Sequence, residues 1–249
     1  MSPGGTPGPG EEGLAPRPTR NVLPFSDLTA AEVAARVRAL VTAALAWLGR
    51  VLAPDRCAAC DASTGPGAAL CDGCAATVVL DHGDADGEVI AHARYGGAVA
   101  RAVRRLKYEE RPDLAGPLGR LLGSAARGLA ADLVVPVPLH PHKLRSRGYN
   151  QAALLAAAVA RELEAPLAAR MLMRTRDTGA QAHLDRAGRL ANLDGAFRVR
   201  APDGVRGRRV VLVDDVCTTG STLGACRAAL LAAGASAVKA VVLARAERY

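Results

Sequence analysis

The chain has 249 residues, half of them hydrophobic, which is enough for one α/β domain with a full core and for further segments. Aromatic residues make up only 3%, so the core must be built from alanine, valine and leucine. The formal net charge is +8, and 29 of the 32 basic residues are arginine. This charge permits an anionic partner without naming one, and the scarcity of aromatic side chains argues against a surface that stacks nucleic-acid bases.

The first part of the chain is predicted to hold a tail and one helix. Residues 1–24 are rich in proline and glycine and poor in apolar side chains, so we expect them to be disordered. No apolar stretch follows a basic start, so no signal peptide is predicted and the protein is expected to be cytoplasmic. An alanine, leucine and valine pattern over residues 28–52 predicts a helix, and its arginines leave no uninterrupted span long enough for a membrane helix.

Four cysteines follow in a C-x2-C-x10-C-x2-C pattern: Cys57, Cys60, Cys71 and Cys74. Two such pairs place four thiolates within reach of one tetrahedral zinc ion in a small, loop-rich module. Two disulfides are disfavoured without a secretory signal, and a redox-active pair would not need a second pair. We therefore predict one structural zinc ion, and an N-terminal unit of residues 25–86. The remaining cysteines, Cys217 and Cys226, are predicted to be packing residues.

From residue 87 to residue 249 we predict a single domain in which strands alternate with helices. The predicted strands cover residues 90–95, 133–137, 171–175, 196–200, 210–213 and 237–243. The predicted helices cover residues 98–108, 114–130, 150–163 and 223–231. This alternation is typical of a mostly parallel α/β sheet with helices on both faces. The first of these helices has a basic face that is either solvated or directed at an anion: Arg101, Arg104, Arg105 and Lys107.

The strongest functional signal is the segment R-V-V-L-V-D-D-V-C-T-T-G-S-T-L at residues 209–223. Its β-branched run predicts a strand buried on both faces, and Asp214 and Asp215 follow where that strand would emerge. Small hydroxyl residues and one glycine then lead into a helix: Thr218, Thr219, Gly220, Ser221 and Thr222. Backbone N–H groups at a helix N-terminus favour an anion, so this turn is predicted to hold a phosphate. The two acids must face something else, such as sugar hydroxyls or a magnesium ion.

A second basic segment follows the predicted strand at residues 133–137. We expect a stiff, proline-containing loop there, with Lys143, Arg145 and Arg147 as its cations, before the helix at 150–163. Such a loop would bind a second anion at the same sheet edge, or else be a solvated turn. Farther on, residues 176–192 have weak helical order, and a connection of this length is typical of a functional lid or of disorder.

The segment at 209–223 resembles the phosphoribosyl pyrophosphate signature of type I phosphoribosyltransferases. In that family the hydroxyl turn holds the 5′-phosphate and the acidic pair contacts the ribose hydroxyls, which maps onto Thr218–Thr222 and onto Asp214 and Asp215. The basic segment falls where the family has its pyrophosphate-binding loop. The long connection falls where the family has a flexible lid, and its candidate residues are Arg174, Arg176, Gln181 and Arg186.

Further motifs resemble the ComF (competence protein F-like) family, in which a phosphoribosyltransferase-like domain follows a four-cysteine module. They are Y-G-G and L-K-Y within residues 95–108, V-P-V-P-L at 135–139, R-G-Y-N-Q at 147–151 and G-A-F at 195–197. The resemblance covers about residues 45–245. It implies a type I phosphoribosyltransferase-like fold and phosphoribosyl pyrophosphate, or a related sugar phosphate, bound with magnesium. We find no base-binding hood and no glutaminase-type cysteine, so the acceptor is not identified.

Three functions remain open from the sequence. The first is transfer of phosphoribosyl to a nitrogen acceptor, for which no residue stands out as a general base. The second is a regulator that keeps the pocket as a sensor without turnover. The third, suggested by the family name, is an accessory role in DNA uptake, with single-stranded DNA or uptake proteins as partners. A homodimer is also left open.

Overall fold

The computed structural model describes residues 29, 31, 33–42, 55–81, 87–176 and 195–246. The chain divides into two compact units, Met1–Gly49 and Arg50–Tyr249. In the first unit residues 33–42 form helix α1, within the helix predicted at 28–52. The predicted disordered tail, residues 1–24, lies outside the described residues. Over the described part of the chain, every helix is too short or too polar to span a lipid bilayer.

The second unit contains the cysteine pattern and the sheet. Its strands are β1 (Val89–Arg94), β2 (Leu133–Pro136), β3 (Leu172–Arg174), β4 (Phe197–Val199), β5 (Arg209–Cys217) and β6 (Ala237–Arg245). Its helices are α2 (Asp72–Ala75), α3 (Gly97–Tyr108), α4 (Ala115–Ala126), α5 (Pro141–Arg147), α6 (Gln151–Glu162) and α7 (Ser221–Ala232), with 3₁₀ turns at Pro112–Leu114 and Pro202–Gly204. Apart from α2 and α5, these strands and α-helices lie where the sequence predicts them.

The central sheet has the strand order β1-β6-β5-β2, and every pairing in it is parallel. Strands β3 and β4 form a separate antiparallel pair, with Arg174 opposite Phe197. All four carboxyl ends of the parallel strands therefore lie at one edge of the sheet. The prediction of a mostly parallel sheet is confirmed, although two of the predicted strands lie outside it.

Side chains of β5 and β6 alternate between two hydrophobic cores. Val211, Val213 and Leu243 pack in the core that α3, α4 and α6 cover. On the opposite face, Leu212 and Val242 pack in the core that contains α7 and the β3–β4 pair. Successive strand residues point to opposite faces, so a strand covered on both sides needs an unbroken apolar run. The prediction of helices on both faces is confirmed.

Small residues allow close contact between α4 and α6. A methyl group added at Gly119 would lie 2.6 Å from the Cβ atom of Ala158, and one added at Gly123 would lie 3.3 Å from Cβ of Glu162. The two helices therefore approach at positions where at least one partner has no side chain. This packing explains how a chain with so few aromatic residues fills its interior.

Helix α5 corrects the prediction of a loop after β2. Pro141 lies at its first turn, where a missing N–H costs no intrahelical hydrogen bond. The His142 N–H donates to Nδ1 of His140 at 3.3 Å, which caps the helix start. Gly148, with φ of 80°, ends the helix in the left-handed conformation that glycine tolerates. This short helix was not predicted, because three closely spaced prolines are typical of a loop.

Candidate functional site

Asp214 and Asp215 lie inside β5, which continues through Cys217 and does not end at Val213 as predicted. The Asp215 N–H donates to Oδ1 of Asp214 at 2.9 Å, and the Val216 N–H donates to Oδ1 of Asp215 at 2.8 Å. These two hydrogen bonds orient both carboxylates at the carboxyl edge of the sheet. The strand extends because β6 continues to pair with it as far as Cys217.

Asp215 forms an ion pair with Lys107, whose Nζ lies 2.9 Å from Oδ2. Only 3% of the Asp215 side chain and 21% of the Lys107 side chain are exposed. Burial disfavours the charged lysine, but the charges of Asp215 and Asp214 outweigh that effect and raise the pKa of Lys107 above its ordinary value. The ammonium group is therefore a permanent feature of this carboxylate pair at neutral pH.

Asp214 is the more exposed of the two acids. Burial, together with the neighbouring charge of Asp215, raises the pKa of Asp214 well above its ordinary value, and the charge of Lys107 acts in the opposite direction. Asp214 therefore keeps its proton to a higher pH than an isolated aspartate does.

The hydroxyl turn, residues Thr218–Thr222, joins β5 to α7. Oγ of Ser221 lies 2.9 Å from Oγ1 of Thr219, which also accepts the Ser221 N–H at 3.4 Å. Gly220 has φ of 77°, a left-handed conformation that a residue with a side chain adopts only with strain. The first backbone N–H groups of α7 have no intrahelical acceptor, so this turn offers donors to an anion.

The cations of the second basic segment lie on α5, which follows the neighbouring strand β2. Lys143 and Arg147 are half-buried and Arg145 is exposed. Arg147 donates from Nη1 to Oε1 of Gln151 at 2.5 Å, and its guanidinium carbon lies 5.4 Å from the centroid of the Tyr108 ring. Because β2 and β5 are adjacent strands, α5 and the hydroxyl turn both begin from the same stretch of the sheet edge.

The R-G-Y-N-Q segment is attached to the rest of the domain by its polar side chains. The Tyr149 hydroxyl donates to the carbonyl oxygen of Leu106. Asn150 donates from Nδ2 to the carbonyl oxygen of Val137 at 3.0 Å, and its Oδ1 accepts the Ala152 N–H at 3.0 Å, which caps α6. These contacts hold the segment against the last turn of α3 and the end of β2.

The last turn of α3 contacts both parts of the candidate site, and we call residues Leu106, Lys107 and Tyr108 the junction turn. Its backbone accepts Tyr149, its lysine pairs with Asp215 and its tyrosine ring lies beneath Arg147. The sequence does not reveal this role, because its basic residues follow one another along α3 and indicate a single basic face. The L-K-Y motif was visible in the sequence, but its partners are distant along the chain.

The residues predicted to form a lid are only partly described. Arg174 lies on β3 with its guanidinium carbon 5.6 Å from the centroid of the Phe197 ring, and Arg176 is exposed just beyond that strand. Gln181 and Arg186 lie outside the described residues. The charges of Arg174 and Asp214 both act on the Cys226 thiol, whose pKa is raised well above its ordinary value by burial and by Asp214. A buried thiol of this kind is a packing residue, as predicted.

The four cysteines of the doubled pattern come together as predicted. Their Sγ atoms all lie within 4.8 Å of one another, and those of Cys60 and Cys71 are 3.7 Å apart. Four sulfurs about 2.3 Å from a tetrahedral zinc ion would be separated by about 3.8 Å, so the cluster has the dimensions of a metal site. Burial opposes ionisation of Cys57, but backbone hydrogen bonds outweigh it and lower its pKa to about 6. Burial raises the pKa of Cys74 to about 12.

Basic side chains of α3 attach this cysteine cluster to the sheet domain. Arg101 donates from Nη2 to Sγ of Cys74 at 3.6 Å. Arg105 forms an ion pair with Asp61, and it donates from Nη1 to the carbonyl oxygen of Ala58 at 3.2 Å. Hydrogen bonding to Arg105, with a contribution from Arg111, lowers the pKa of Asp61 below its ordinary value. Arg105 is therefore buried against the cysteine module and is not part of a solvated face, whereas Arg101 stays exposed and contacts the module through Cys74.

Comparison with known proteins agrees with this geometry. A family model described as a phosphoribosyl transferase domain matches residues 150–249. The DNA utilization protein YhgH of Escherichia coli (strain K12) is 37% identical over 160 residues, which are 61% of this chain and 70% of that protein. Competence protein F of Haemophilus influenzae is 34% identical over 152 residues, or 58% of this chain and 66% of that protein.

Among solved structures, the glutamine phosphoribosylpyrophosphate amidotransferase from B. subtilis in complex with ADP and GMP is 24% identical, with a TM-score of 0.38. That likeness covers 55% of this chain and 30% of the amidotransferase chain.

The parallel sheet, the acid pair in β5 and the hydroxyl turn before α7 define a protein of the type I phosphoribosyltransferase-like fold. The four-cysteine module and the relatives narrow the class further. The chain belongs to the ComF (competence protein F-like) family, as the sequence motifs predict.

Proposed function

We propose that this protein binds phosphoribosyl pyrophosphate, or a closely related sugar phosphate, together with magnesium. One observation supports this proposal above the others. At the sheet edge the acid pair of β5 leads directly into the hydroxyl turn before α7, and the cations on α5 follow the adjacent strand β2. A ligand with a phosphate at one end, a diphosphate at the other and a diol between them offers one group to each of these three segments.

The proposed contacts follow from the chemistry of each segment. The 5′-phosphate would bind the hydroxyl turn, where backbone N–H groups favour an anion. The ribose hydroxyls would donate to Asp214 and Asp215, with Asp214 the more accessible. Lys143, Arg145 and Arg147 would bind the pyrophosphate. The lid residues would cover the bound ligand: Arg174, Arg176, Gln181 and Arg186.

A site of this kind supports transfer of the phosphoribosyl group to a nitrogen nucleophile. The bond between C1 of the ribose and the pyrophosphate oxygen breaks, its electron pair leaves with the pyrophosphate, and a C1–N bond forms as nitrogen releases its proton. Arg145 and Arg147 would stabilise the charge that develops on the departing pyrophosphate. Magnesium bound to the diphosphate would neutralise part of the same charge.

Calorimetric titration with magnesium phosphoribosyl pyrophosphate and with magnesium pyrophosphate tests the assignment. Replacing both acids by their amides, Asp214→Asn with Asp215→Asn, should weaken binding of the full ligand about ten- to a hundredfold for each charged hydrogen bond lost. Pyrophosphate binding should change little. Equal losses for both ligands would assign the acids to the fold, and no binding of phosphoribosyl pyrophosphate by the wild type would refute the proposal.

We propose further that the cysteine cluster holds one zinc ion with a structural role. Four thiolates at tetrahedral spacing leave no open coordination position, so the ion would fix the module and take no part in the reaction. Metal analysis of the purified protein should give one equivalent of zinc, and Cys60→Ser should lose it. Full thermal stability after the metal is removed would contradict the structural role.

The names of the relatives support a second function, an accessory role in the use or uptake of DNA. YhgH is named a DNA utilization protein, and this chain carries a net charge of +8. Contact with phosphates makes affinity fall steeply with salt. An electrophoretic shift with single-stranded DNA across a salt series would test this role. If no shift occurs at low salt, the accessory role would have to act through proteins of DNA uptake and not through DNA itself. Light scattering on the same sample tests for a homodimer.

A further inference from the structure

Two adjacent carboxylates at a phosphate-binding edge pose an electrostatic problem. They repel the anionic ends of the proposed ligand, and by themselves they form an oxygen-rich site that attracts a hard divalent cation. Asp215 has one carboxylate oxygen held by the Val216 N–H, and the other lies 2.9 Å from Nζ of Lys107. A cation of the chain itself therefore already lies against this acid.

We propose that Lys107 is the resident counter-ion of the acid pair, occupying the position on Asp215 that a divalent cation would otherwise take. The pair then accepts hydrogen bonds from sugar hydroxyls and binds no metal ion in the free protein. This inference rests on the proposed function for the identity of the ligand, and it assigns the metal to the incoming diphosphate. Lys107 is thus a positioning residue that acts through Asp215.

The residues before and after Lys107 in the chain both make contacts that hold it in this position. Its neighbours in the junction turn are fixed, since the Leu106 carbonyl accepts the Tyr149 hydroxyl and the Tyr108 ring lies beneath Arg147. The Lys107 stem is mostly buried, so the side chain has little freedom to leave Asp215. An ion pair with a purely structural role would have no reason to lie at the sheet edge where the ligand is proposed to bind, next to the more exposed Asp214.

The test is the binding of Mn²⁺ to the full-length protein, with its cysteine cluster filled with zinc and with no sugar phosphate present. Electron paramagnetic resonance measures free Mn²⁺ directly. Wild-type protein should show no saturable Mn²⁺ site that depends on Asp215, whereas Lys107→Met should gain one that binds Mn²⁺ about tenfold or more tightly than any wild-type site. Adding Asp215→Asn to Lys107→Met should abolish the gain.

Two variants provide matched controls. Lys107→Arg keeps the positive charge and should gain no site, and Arg104→Met removes a positive charge from an exposed position of the same helix and should also gain none. If Lys107→Met fails to fold, Lys107→Gln keeps a donor for Asp215 without the charge and takes its place. A folded Lys107→Met or Lys107→Gln variant that binds Mn²⁺ no better than Arg104→Met would overturn the proposal. So would a wild-type Mn²⁺ site that disappears in Asp215→Asn.

The result is independent of the proposed function, because no phosphoribosyl compound enters the measurement. Failure of the wild type to bind phosphoribosyl pyrophosphate would refute the proposed ligand without affecting the counter-ion role of Lys107. A wild-type metal site at Asp215 would refute the counter-ion role even if the ligand binds as proposed.

Discussion

The guanidinium carbon of Arg147 lies 5.4 Å from the centroid of the Tyr108 ring, while its Nη1 donates to Gln151 at 2.5 Å. Tyr108 is 73% exposed, so its ring supports the arginine from one side without enclosing it. An arginine held by a ring and by an amide directs its remaining N–H groups in a fixed orientation. Such pre-organisation favours binding of a diphosphate, because less side-chain freedom is lost on binding.

Replacing Tyr108 with alanine should therefore weaken pyrophosphate binding. A cation–π contact at an exposed site contributes about 0.5–1 kcal/mol, so the affinity measured by calorimetry should fall about two- to fivefold. Tyr108→Phe keeps the ring and should behave as the wild type does. Equal affinities for Tyr108→Ala and Tyr108→Phe would show that the ring does not orient the arginine.

The fold was largely predictable because its signals are local. The buried strands are continuous runs of valine and leucine, and β5 needs no distant information to be recognised from residues 210–213. The four cysteines were equally readable, since spacing alone brings each pair together. The separate β3–β4 pair was not predicted as such, because short strands carry no signal for the direction of their partner.

The site was less predictable, because its contacts join residues far apart in the chain. Lys107 and Asp215 lie on different elements, and nothing near Lys107 in the sequence distinguishes it from the exposed Arg104. Arg105 likewise follows the helical pattern of a surface residue but contacts Asp61. These three cations have different surroundings only because α3 packs between the cysteine module and the sheet.

Close packing of α4 against α6 predicts that a glycine at this contact and an exposed glycine of another helix respond in opposite ways to alanine. Gly119→Ala places a methyl group 2.6 Å from Cβ of Ala158, so it should lower the free energy of unfolding by about 1–3 kcal/mol. At Gly224, an exposed position inside α7, the added methyl group meets no atom within 4 Å, so Gly224→Ala should raise the free energy of unfolding by about 0.5–1 kcal/mol through helix propensity. Urea denaturation compares both with the wild type. Equal destabilisation by the two variants would refute the packing argument.

The hydrogen bond from Arg101 to Sγ of Cys74 predicts a role in metal retention. Outer partners of a metal ligand typically change metal affinity by about 10–100-fold, so Arg101→Met should raise the dissociation constant for zinc by about tenfold or more. Competition with a chromophoric chelator measures it. Arg104→Met removes an equal charge from the exposed side of α3 and should retain zinc as the wild type does. The same zinc affinity in both variants would mean that the Arg101 contact contributes nothing.

The raised pKa of Asp214 predicts how binding of phosphoribosyl pyrophosphate depends on pH. Burial and the charge of Asp215 favour the protonated form of Asp214, while Lys107 opposes them. Below its raised pKa this acid is neutral, and a neutral carboxyl accepts hydroxyl hydrogen bonds more weakly than a carboxylate does. The affinity should therefore rise as the pH rises through the pKa of Asp214, and it should level off above that pKa.

Calorimetry across a pH series tests this expectation, with Asp214→Asn measured beside the wild type so that the ionisation of the ligand itself is the same in both. The charged and titratable groups that act on Asp214 or share its surroundings are Asp215, Lys107, Cys226 and Arg174. Asp214→Asn removes the titrating group while keeping the shape of the side chain, so the ratio of the wild-type affinity to the variant affinity should rise as the pH rises through the pKa of Asp214. If the variant keeps the wild-type profile, the pH dependence does not come from Asp214, and the direct contact between Asp214 and the ribose would have to be abandoned.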